Sequence, residues 1–490
     1  MKKHLIYFFG ILWMFSTAAC TGDFLDQGPS NSVDEEELLG SVEGCDLALN
    51  GVYRYMYLSG SHETFGEMAI NLALDLRGED IVMHAYGNGW FTRDYGIQFS
   101  RREIDARPND IWGFYYHLIF QVNQVLKYID TAIGDEELRR EVKGQALAIR
   151  AYSHHRLVQV FQHTYVGNEN AAGIPIRTSP TFESLGRSTV AEVYEQIEQD
   201  YAEAIEYLQE INRYHPSHLS LASVMGLKAR VHLVKNEWKE AADLAREAIQ
   251  VAEQFGFRLM QGVELHAGFS NANHPEALWA LAINGQQTTF YASFFSHMDP
   301  FAGGYATIGS FKKATADFLN LIGNNDYRKG VFFSENTAWG NMTIPKFSSQ
   351  KFRLPTYDGS WEGDYLLMRM AELYLIQAEG FAHAGDHARS LSALNALLRT
   401  RIQDHRDIHL TGQELVDEIL KQRRVEFWGE GHRYFDMMRN KEDLKRSNAH
   451  DPGLAQITTM EAGANGWLMQ IPQSELDANT LINASDQNPL

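Results

Sequence analysis

Apolar residues recur every three or four positions over much of the chain, which is the spacing of amphipathic helices. The pattern predicts helices over residues 38–58, 63–77, 111–129 and 141–161. A further helix is expected to run from Thr189 to Leu208. The Thr189 hydroxyl can accept a hydrogen bond from a free amide there, and Glu192 follows three residues on, as in a capping box. The chain is therefore predicted to be mostly α-helical.

Two longer stretches, residues 222–252 and 366–401, predict helical hairpins. In each, an apolar stripe is followed by a short polar turn, around Asn236 in the first and Gly385 in the second, and then by a second stripe. Small residues at the crossing allow antiparallel helices to approach closely. The hairpins resemble tetratricopeptide units, although two unrelated helical hairpins would give a similar pattern. We expect the hairpin scaffold to occupy residues 141–252 and 366–439.

The segment between the hairpins, residues 256–365, has a different character. It is rich in glycine, proline and aromatic residues, and its helical periodicity is patchy. We expect long loops, with short strands around residues 347–352. A loop-rich insertion of this length in a compact chain usually has a function, so it is predicted to bind ligand.

The first twenty residues have the layout of an export signal: two lysines, an apolar run, then small residues before Cys20. The run is too short to span a bilayer. The sequence before Cys20 resembles a bacterial lipobox, which predicts a signal peptide over residues 1–19 and a lipid on Cys20. An ordinary secretory signal is the alternative. Residues 20–37 are expected to be a tether, and residues 38–490 a single domain.

Composition narrows the function further. The net charge is −20, which argues against a nucleic-acid partner. The chain has only two cysteines, so lipidation of Cys20 would leave Cys45 unpaired and the fold without a disulfide. With 44% hydrophobic residues, a core of ordinary size is available.

Four motifs give the chain a resemblance to the SusD/RagB family of nutrient-binding lipoproteins. They are the lipobox with Asp23, Phe24 and Pro29 after it, the RMAELYLIQAE helix within residues 367–379, the charged RRVEFWGEGHRYFD motif at 423–436, and the tail with IPQSE and QNP. Each motif is weak alone, but their order spans the chain. The resemblance implies a SusD-like fold, with tetratricopeptide-like helical hairpins and a loop-rich insertion containing short β-strands.

The resemblance also implies a role. Such proteins are lipid-anchored in the outer membrane, face the cell exterior and deliver oligosaccharide to a SusC-like TonB-dependent transporter, over which they close like a lid. Some relatives are thought to serve peptide uptake, so a RagB-like oligopeptide-capturing protein is an alternative. A surface glycosidase and a scaffold that only docks partners are further alternatives.

Charged residues recur at three- and four-residue steps in the 423–439 motif, which on one helix would place acid–base pairs on a single face. We interpret them as a structural ion-pair network that involves the 367–379 helix. Its predicted members are Arg369, Glu372, Arg423, Glu426, Glu430, Arg433 and Asp436.

The sequence predicts no catalytic residue, cofactor or metal site. There is no His-Glu-x-x-His motif and no glycine-rich phosphate loop after a strand. Glycoside hydrolysis needs two carboxyl groups across an open cleft, and Glu426 and Glu430 on one helical face would not provide it.

Aromatic residues in two loop regions provide the positive indication of function. Sugars present apolar C–H faces on which aromatic rings stack, while polar groups bind the hydroxyls. Trp90 is the strongest candidate, because Gly87, Asn88 and Gly89 before it indicate a turn tip. The alternative is that these rings only pack loops onto the scaffold. The predicted ligand-binding residues are Asn88, Trp90, Phe91, Tyr95, Tyr291, Phe295 and Trp339.

Overall fold

A computed structural model describes residues 35–84, 88–211, 215–286 and 291–490 of the chain. The predicted signal peptide, Cys20 and most of the predicted tether lie outside the described residues. So do Tyr86, Gly87 and Phe290 of the two aromatic loops.

Helices dominate the N-terminal half, as predicted. Thr189 and Glu192 form the expected capping box at the start of the last of them, with the Glu192 amide donating to the Thr189 hydroxyl. The helices are α1 (Glu35–Leu39), α2 (Val42–Tyr55), α3 (Glu67–Asp75), α4 (Thr92–Gly96), α5 (Ala106–Tyr128), α6 (Glu136–Phe161) and α7 (Val190–Leu208), with strand β1 (Ile81–Met83) between α3 and α4.

Two helical hairpins form the centre of the scaffold: α8 (Leu221–Val234) with α9 (Trp238–Gln254), and α12 (Met370–His383) with α13 (His387–Arg401). Their turns contain Asn236 and Gly385, both with positive φ. The hairpins pack on each other through α9 and α12. Gly380 lies at this crossing, where a Cβ atom would collide with the Trp238 carbonyl and with Ala242. The small residue is therefore required for the close approach.

The segment between the hairpins consists mainly of loops with short strands and helices. Its elements are β2 (Ala277–Leu281), α10 (Phe294–Met298), β3 (Lys312–Ala314), α11 (Ala316–Asn320), β4 (Thr337–Trp339), β5 (Met342–Ile344) and β6 (Tyr365–Arg369), with 3-10 helices at Gly262–His266 and Tyr327–Val331. The strands pair only two at a time, all antiparallel: β1 with β3, β2 with β6, and β4 with β5.

Two local predictions were wrong. Residues 347–352 form no strand; only isolated bridges join Ser348 to Lys313 and Ser349 to Phe332. The second hairpin does not begin as a helix at residue 366, because residues 365–369 pair with β2 and the helix starts at Met370. A partner strand so far away in sequence gives no local indication of its presence.

The C-terminal part is a series of short elements after one longer helix. It comprises α14 (Gly412–Glu426), α15 (Arg433–Arg439), β7 (Leu444–Lys445), α16 (Pro452–Ala455), β8 (Thr459–Met460) and α17 (Gln473–Ala478), with 3-10 helices at Asn465–Trp467 and Ala484–Asp486. The charged motif is therefore not one helix. Gly429 and Gly431, both with positive φ, separate α14 from α15.

One large cluster of buried apolar side chains extends from Leu39 to Ile482. It includes the first hairpin, the second hairpin and rings of the intervening segment such as Phe294 and Phe352. The loops that carry the candidate site are thus packed directly on the helical scaffold.

Candidate functional site

Four rings from separate segments meet at the surface and form what we call the aromatic patch: His62, Trp90, Tyr291 and Tyr305. His62 stacks on Trp90 with ring centroids 4.4 Å apart. Tyr291 lies 6.1 Å from His62 and 5.9 Å from Tyr305. Tyr305 in turn contacts Trp90 edge-on at 6.4 Å. The structure therefore brings Trp90 and Tyr291, two of the predicted binding residues, onto one patch.

The patch is partly open to solvent. Tyr291 has 47% of its surface exposed, and Trp90 and His62 are partly exposed. Tyr305 lies beneath them, and burial raises the pKa of its hydroxyl to about 12. A hydrogen bond joins that hydroxyl to Nδ1 of His62. The patch thus has an exposed edge on a fixed base.

Asn88 lies at the tip of the Trp90 loop and is exposed. Oδ1 of the Asn88 side chain accepts a hydrogen bond of 3.1 Å from the Ser310 hydroxyl. The same hydroxyl accepts a hydrogen bond of 3.2 Å from the Asn88 backbone amide. Gly89 follows with a φ of 82°, as a tight turn requires. The loop tip is therefore tied to the segment that carries Tyr305.

Three of the predicted binding residues are buried in the structure. Phe91 and Tyr95 have 0% of their surface exposed and Phe295 has 1%. Phe91 packs edge-on against His297, Tyr95 stacks on His450, and Phe295 packs against Tyr365. These rings offer no free face to a ligand in this arrangement. Of the three, Phe91 packs against His297, which in turn contacts Tyr305 of the patch.

Polar groups lie directly under the patch. Nε2 of His297 donates to the His62 carbonyl at 2.8 Å, and its Nδ1 lies 3.3 Å from Nζ of Lys312. Lys312 is buried, and burial lowers the pKa of its amine to about 7. The Glu63 carboxylate accepts a hydrogen bond from the Phe91 amide. These contacts fix the backbone at His62 and at the base of the Trp90 loop.

His62 was not among the predicted site residues. It lies between the helices predicted at 38–58 and 63–77, in a short polar connection that also contains Gly60 and Ser61. Such a connection is a usual place for binding residues. The fold brings His62 next to Trp90, and no feature of the sequence pattern indicates that the two residues are close.

Trp339 belongs to a second aromatic group, formed with Phe301 and Tyr357, which we call the Trp339 group. Trp339 lies at the end of β4, is 48% exposed and meets Phe301 edge-on at 4.6 Å. Tyr357 is 45% exposed and lies 6.4 Å from Phe301. In the described parts of the chain, no ring contact joins this group to the aromatic patch. Trp339 is thus exposed, but apart from Trp90 and Tyr291.

The centre of the charged network is buried. Arg369 contacts Glu276 at 2.7 Å, Glu426 at 3.1 Å and Glu430 at 2.7 Å. Arg401 contacts Glu276 at 2.6 Å and Glu426 at 2.9 Å. Burial acts to raise the pKa of Glu430, but Arg369 and a nearby lysine outweigh it and lower the pKa to about 2. All three carboxylates are thus paired with arginine, and Glu430 is charged at neutral pH.

The outer members of the network pair differently from the expectation. Glu372 contacts Arg230 of the first hairpin at 2.7 Å, and Arg433 contacts Glu79 at 2.6 Å. Arg423 does contact Asp436, at 3.2 Å, but from a different helix. These pairs join separate elements, because the chain turns at Gly429 and Gly431. Asp436 and Arg439, at 2.8 Å, do pair at helical spacing within α15.

One group in the described residues has the ligand types and spacing of a metal site: Glu198, His232 and Glu237. Nζ of Lys235 lies 2.6 Å from Glu198 and 2.7 Å from Glu237. An ammonium group already bridges these two carboxylates, so the cluster is a salt bridge in the present arrangement. Across residues 35–490, outside the three undescribed gaps, none of the helices combines the length and the apolar character needed to cross a membrane.

Comparison with known proteins agrees with the motifs. A family profile described as starch-binding, associating with outer membrane, matches residues 23–233, and the SusD family profile matches residues 284–490. A SusD-like protein from Bacteroides ovatus is 20% identical, with 89% of this chain and 82% of the relative covered.

Solved structures show the same fold. A SusD-like carbohydrate-binding protein from Bacteroides vulgatus superimposes with a TM-score of 0.81 at 26% identity, covering 92% of this chain and 99% of the other. A laminarin-binding SusD-like protein gives a TM-score of 0.69 at 20% identity, covering 91% and 99%. Since the two family profiles together account for most of the sequence, the chain belongs to the SusD/RagB family.

Proposed function

We propose that this protein binds oligosaccharide on the aromatic patch and delivers it, without chemical change, to a SusC-like TonB-dependent transporter in the outer membrane. The observation that carries the proposal is the convergence of Trp90, Tyr291 and His62 from separate loops on a partly exposed surface. Rings held in this way present flat apolar faces to the C–H surfaces of sugars.

Polar groups beside the rings complete a sugar site. The exposed amide of Asn88 is held by Ser310 next to Trp90, and its NH₂ group can donate to a sugar hydroxyl. The carbohydrate-binding relative from Bacteroides vulgatus and the laminarin-binding relative support the same ligand class. We include Trp339 in the proposed site as a contact for longer chains, since its ring is also exposed.

The absence of reaction is also part of the proposal. The carboxylates of the charged motif are buried and bound to arginine or lysine, which leaves none of them free to act as a general acid toward a bound sugar. A reducing-sugar assay on the incubated glycan should show no product. Product formation by the pure protein would show that it is a surface glycosidase and not only a binding protein.

The ligand is tested with a panel of glycans, laminarin included, and a set of oligopeptides, by affinity electrophoresis and calorimetry. The double variant Trp90→Ala/Tyr291→Ala should lose glycan binding and keep its melting temperature. Phe182→Ala is the matched control, because Phe182 is 89% exposed and packs on Phe120, outside the patch. Binding of peptides and no glycan would favour the RagB-like alternative.

The location is a separate part of the proposal. We propose that Cys20 carries the lipid that holds the protein to the outer membrane, on the side that faces the cell exterior. Cys20→Ala should release the protein from the membrane fraction. Cys45→Ala, which removes a buried thiol in α2, should leave it bound to membranes. Co-purification of a TonB-dependent transporter with the wild-type protein would support the proposal that such a transporter is its partner.

A further inference from the structure

A large cavity lies in the loop-rich segment, away from the aromatic patch. It has a volume of about 690 Å³ and is bounded by α11, by the 3-10 helix at Tyr327–Val331 and by residues 346–347. Its size falls within the usual range for small-molecule sites. None of the four residues of the aromatic patch lines it, and neither does Trp339.

Two lysines, Lys329 and Lys346, give the cavity a positive wall. The acid among the described lining residues is Asp326, which is buried and bound to Arg328 at 2.6 Å, so its charge is already compensated. Within the described residues, neither lysine forms an ion pair. The cavity is thus locally basic in a protein with a net charge of −20.

The two ammonium groups retain donors for a ligand. Nζ of Lys329 donates to the Ile322 carbonyl at 2.9 Å and to the Asn324 side chain at 2.8 Å, which leaves one of its three donors. Nζ of Lys346 lies 4.7 Å above the Phe347 ring, and Lys346 is exposed. Both lysines line the cavity, so an anionic group that enters it would be attracted by both charges.

Aromatic and amide groups line the rest of the cavity. Phe333 and Phe347 are held side by side by backbone hydrogen bonds, since the Phe347 amide donates to the Phe333 carbonyl at 2.8 Å. Phe347 adopts a φ of 73°, which is unfavourable for a side chain of this size and is fixed by these bonds. The amide side chains on the wall are Asn320, Asn324, Asn325 and Gln403.

Rings for stacking, amides for hydroxyl groups and lysines for an anion together match one class of ligand. We propose that this cavity is a second binding site, which takes an acidic saccharide unit bearing a carboxylate or a sulfate group. The site is independent of the aromatic patch, so the protein holds an acidic substituent or branch at one site and a neutral sugar face at the other.

The test uses calorimetry of the full protein with trigalacturonic acid, its methyl ester and a sulfated galactan oligosaccharide. The wild type should bind at least one of the two acids, and more weakly as salt is added, because exposed charge pairs are screened. Lys346→Glu should weaken that binding by about tenfold or more, as expected for a lost charge-assisted hydrogen bond. The methyl ester should bind weakly to both proteins.

Further variants and a neutral glycan keep this result separate from the proposed function. Lys239→Glu, on the exposed face of α9, is a matched change of charge and should bind like the wild type. Asn320→Asp places a negative charge on the cavity wall and should weaken binding of the acid, as Lys346→Glu does. Trp90→Ala/Tyr291→Ala should still bind the acid, and Lys346→Glu should still bind a neutral glycan that the wild type binds.

The proposal is overturned if neither acid binds the wild type, or if Lys346→Glu and Asn320→Asp both bind the acid normally. It is also overturned if Trp90→Ala/Tyr291→Ala abolishes binding of the acid, since the acid would then occupy the aromatic patch. A sulfated ligand that binds where trigalacturonic acid does not, or the reverse, identifies which anion the cavity selects.

Discussion

In the charged network, Glu426 is enclosed and contacts Arg328, Arg369 and Arg401, whereas in the aromatic patch Tyr291 has almost half of its surface in solvent. Both regions gather side chains from distant parts of the chain. The network pairs its carboxylates internally with arginine and lysine. The patch leaves ring faces partly uncovered above a packed base.

This difference distinguishes the side chains that stabilise the fold from those that remain accessible to a ligand. Two arginines, Arg369 in β6 and Arg401 in α13, both contact Glu276, directly before β2, and Glu426 in α14. The network therefore ties the loop-rich segment to the second hairpin. The patch joins loops only at their tips. The most distinctive charged motif of the sequence is therefore structural, and the loops carry the proposed binding function.

Removal of Glu426 should produce the largest effect. Glu426→Ala would leave three buried arginines without one of their carboxylates, and an uncompensated buried charge costs about 3–5 kcal/mol. We expect that loss in the free energy of unfolding by chemical denaturation, with nearly unchanged glycan affinity in the fraction that stays folded. Normal stability together with lost binding would show that the network is part of the binding site.

An exposed ion pair provides the control. Asp407 pairs with Arg399 on the surface, with side chains 41% and 55% exposed. Asp407→Ala should change the free energy of unfolding by less than about 1 kcal/mol, because exposed pairs contribute little. A similar loss in both variants would mean that burial does not determine the cost.

Two adjacent residues, Trp90 and Phe91, sharpen the comparison within a single loop. Phe91→Ala should destabilise the fold by about 3–5 kcal/mol, since it empties a buried site. Trp90→Ala should lower glycan affinity by about 1–3 kcal/mol, as for other aromatic anchors, and change the melting temperature little. Calorimetry on both variants measures the glycan affinity, and melting curves measure the stability. Equal loss of stability in both would make Trp90 a core residue.

The scaffold was predictable where its determinants are local. The Thr189 capping box and the turns at Asn236 and Gly385 follow from short stretches of sequence. The family was identified from the resemblance of four sequence motifs to those of the SusD/RagB family. The division into a tether and a single domain over residues 38–490 stays a prediction, as does the lipid on Cys20.

Determinants far apart in sequence were not predictable. Arg369 lies in a strand because β2 pairs with it, and Glu372 meets Arg230, which is 142 residues away. Aromatic residues in loops gave no indication of which would be buried, so Tyr95 and Phe295 were grouped with Trp90 although the fold encloses them. Apolar character indicates that a ring will be covered, but not whether by protein or by ligand.

Lys312 tests whether the base of the patch is rigid enough to keep a lysine buried. Its pKa is lowered from its ordinary value to about 7 by burial, with Glu63 acting in the opposite direction. The unfolded chain protonates this amine below about pH 10.5, so between about pH 7 and 10.5 it binds more protons than the folded chain. The stability of the wild type should therefore rise with pH over this range.

Lys312→Met removes this dependence. The melting temperature of the variant relative to the wild type should be higher at about pH 7 than at about pH 9.5, because the penalty of the buried charge is largest at the lower value. Lys313→Met, at the half-buried neighbouring position of β3, serves as the control. A difference that does not vary with pH would show that Lys312 reaches water and that the base of the patch opens.

The smallest effect is expected from Tyr305→Phe, which removes only the hydroxyl that bonds to Nδ1 of His62. The ring and its contacts with Trp90 and Tyr291 stay, so the surface presented to a sugar is unchanged. What is lost is one hydrogen bond that holds His62 under Trp90, and such bonds contribute about 0.5–1.5 kcal/mol. Because His62 is also fixed through its backbone by His297, we expect a loss of glycan affinity at the lower end of that range and a melting temperature close to that of the wild type. Calorimetry with the panel ligand measures the first and a melting curve the second. A loss as large as that of Trp90→Ala would mean that the hydroxyl itself contacts the sugar, and the patch would then bind through Tyr305 as well as through its exposed rings.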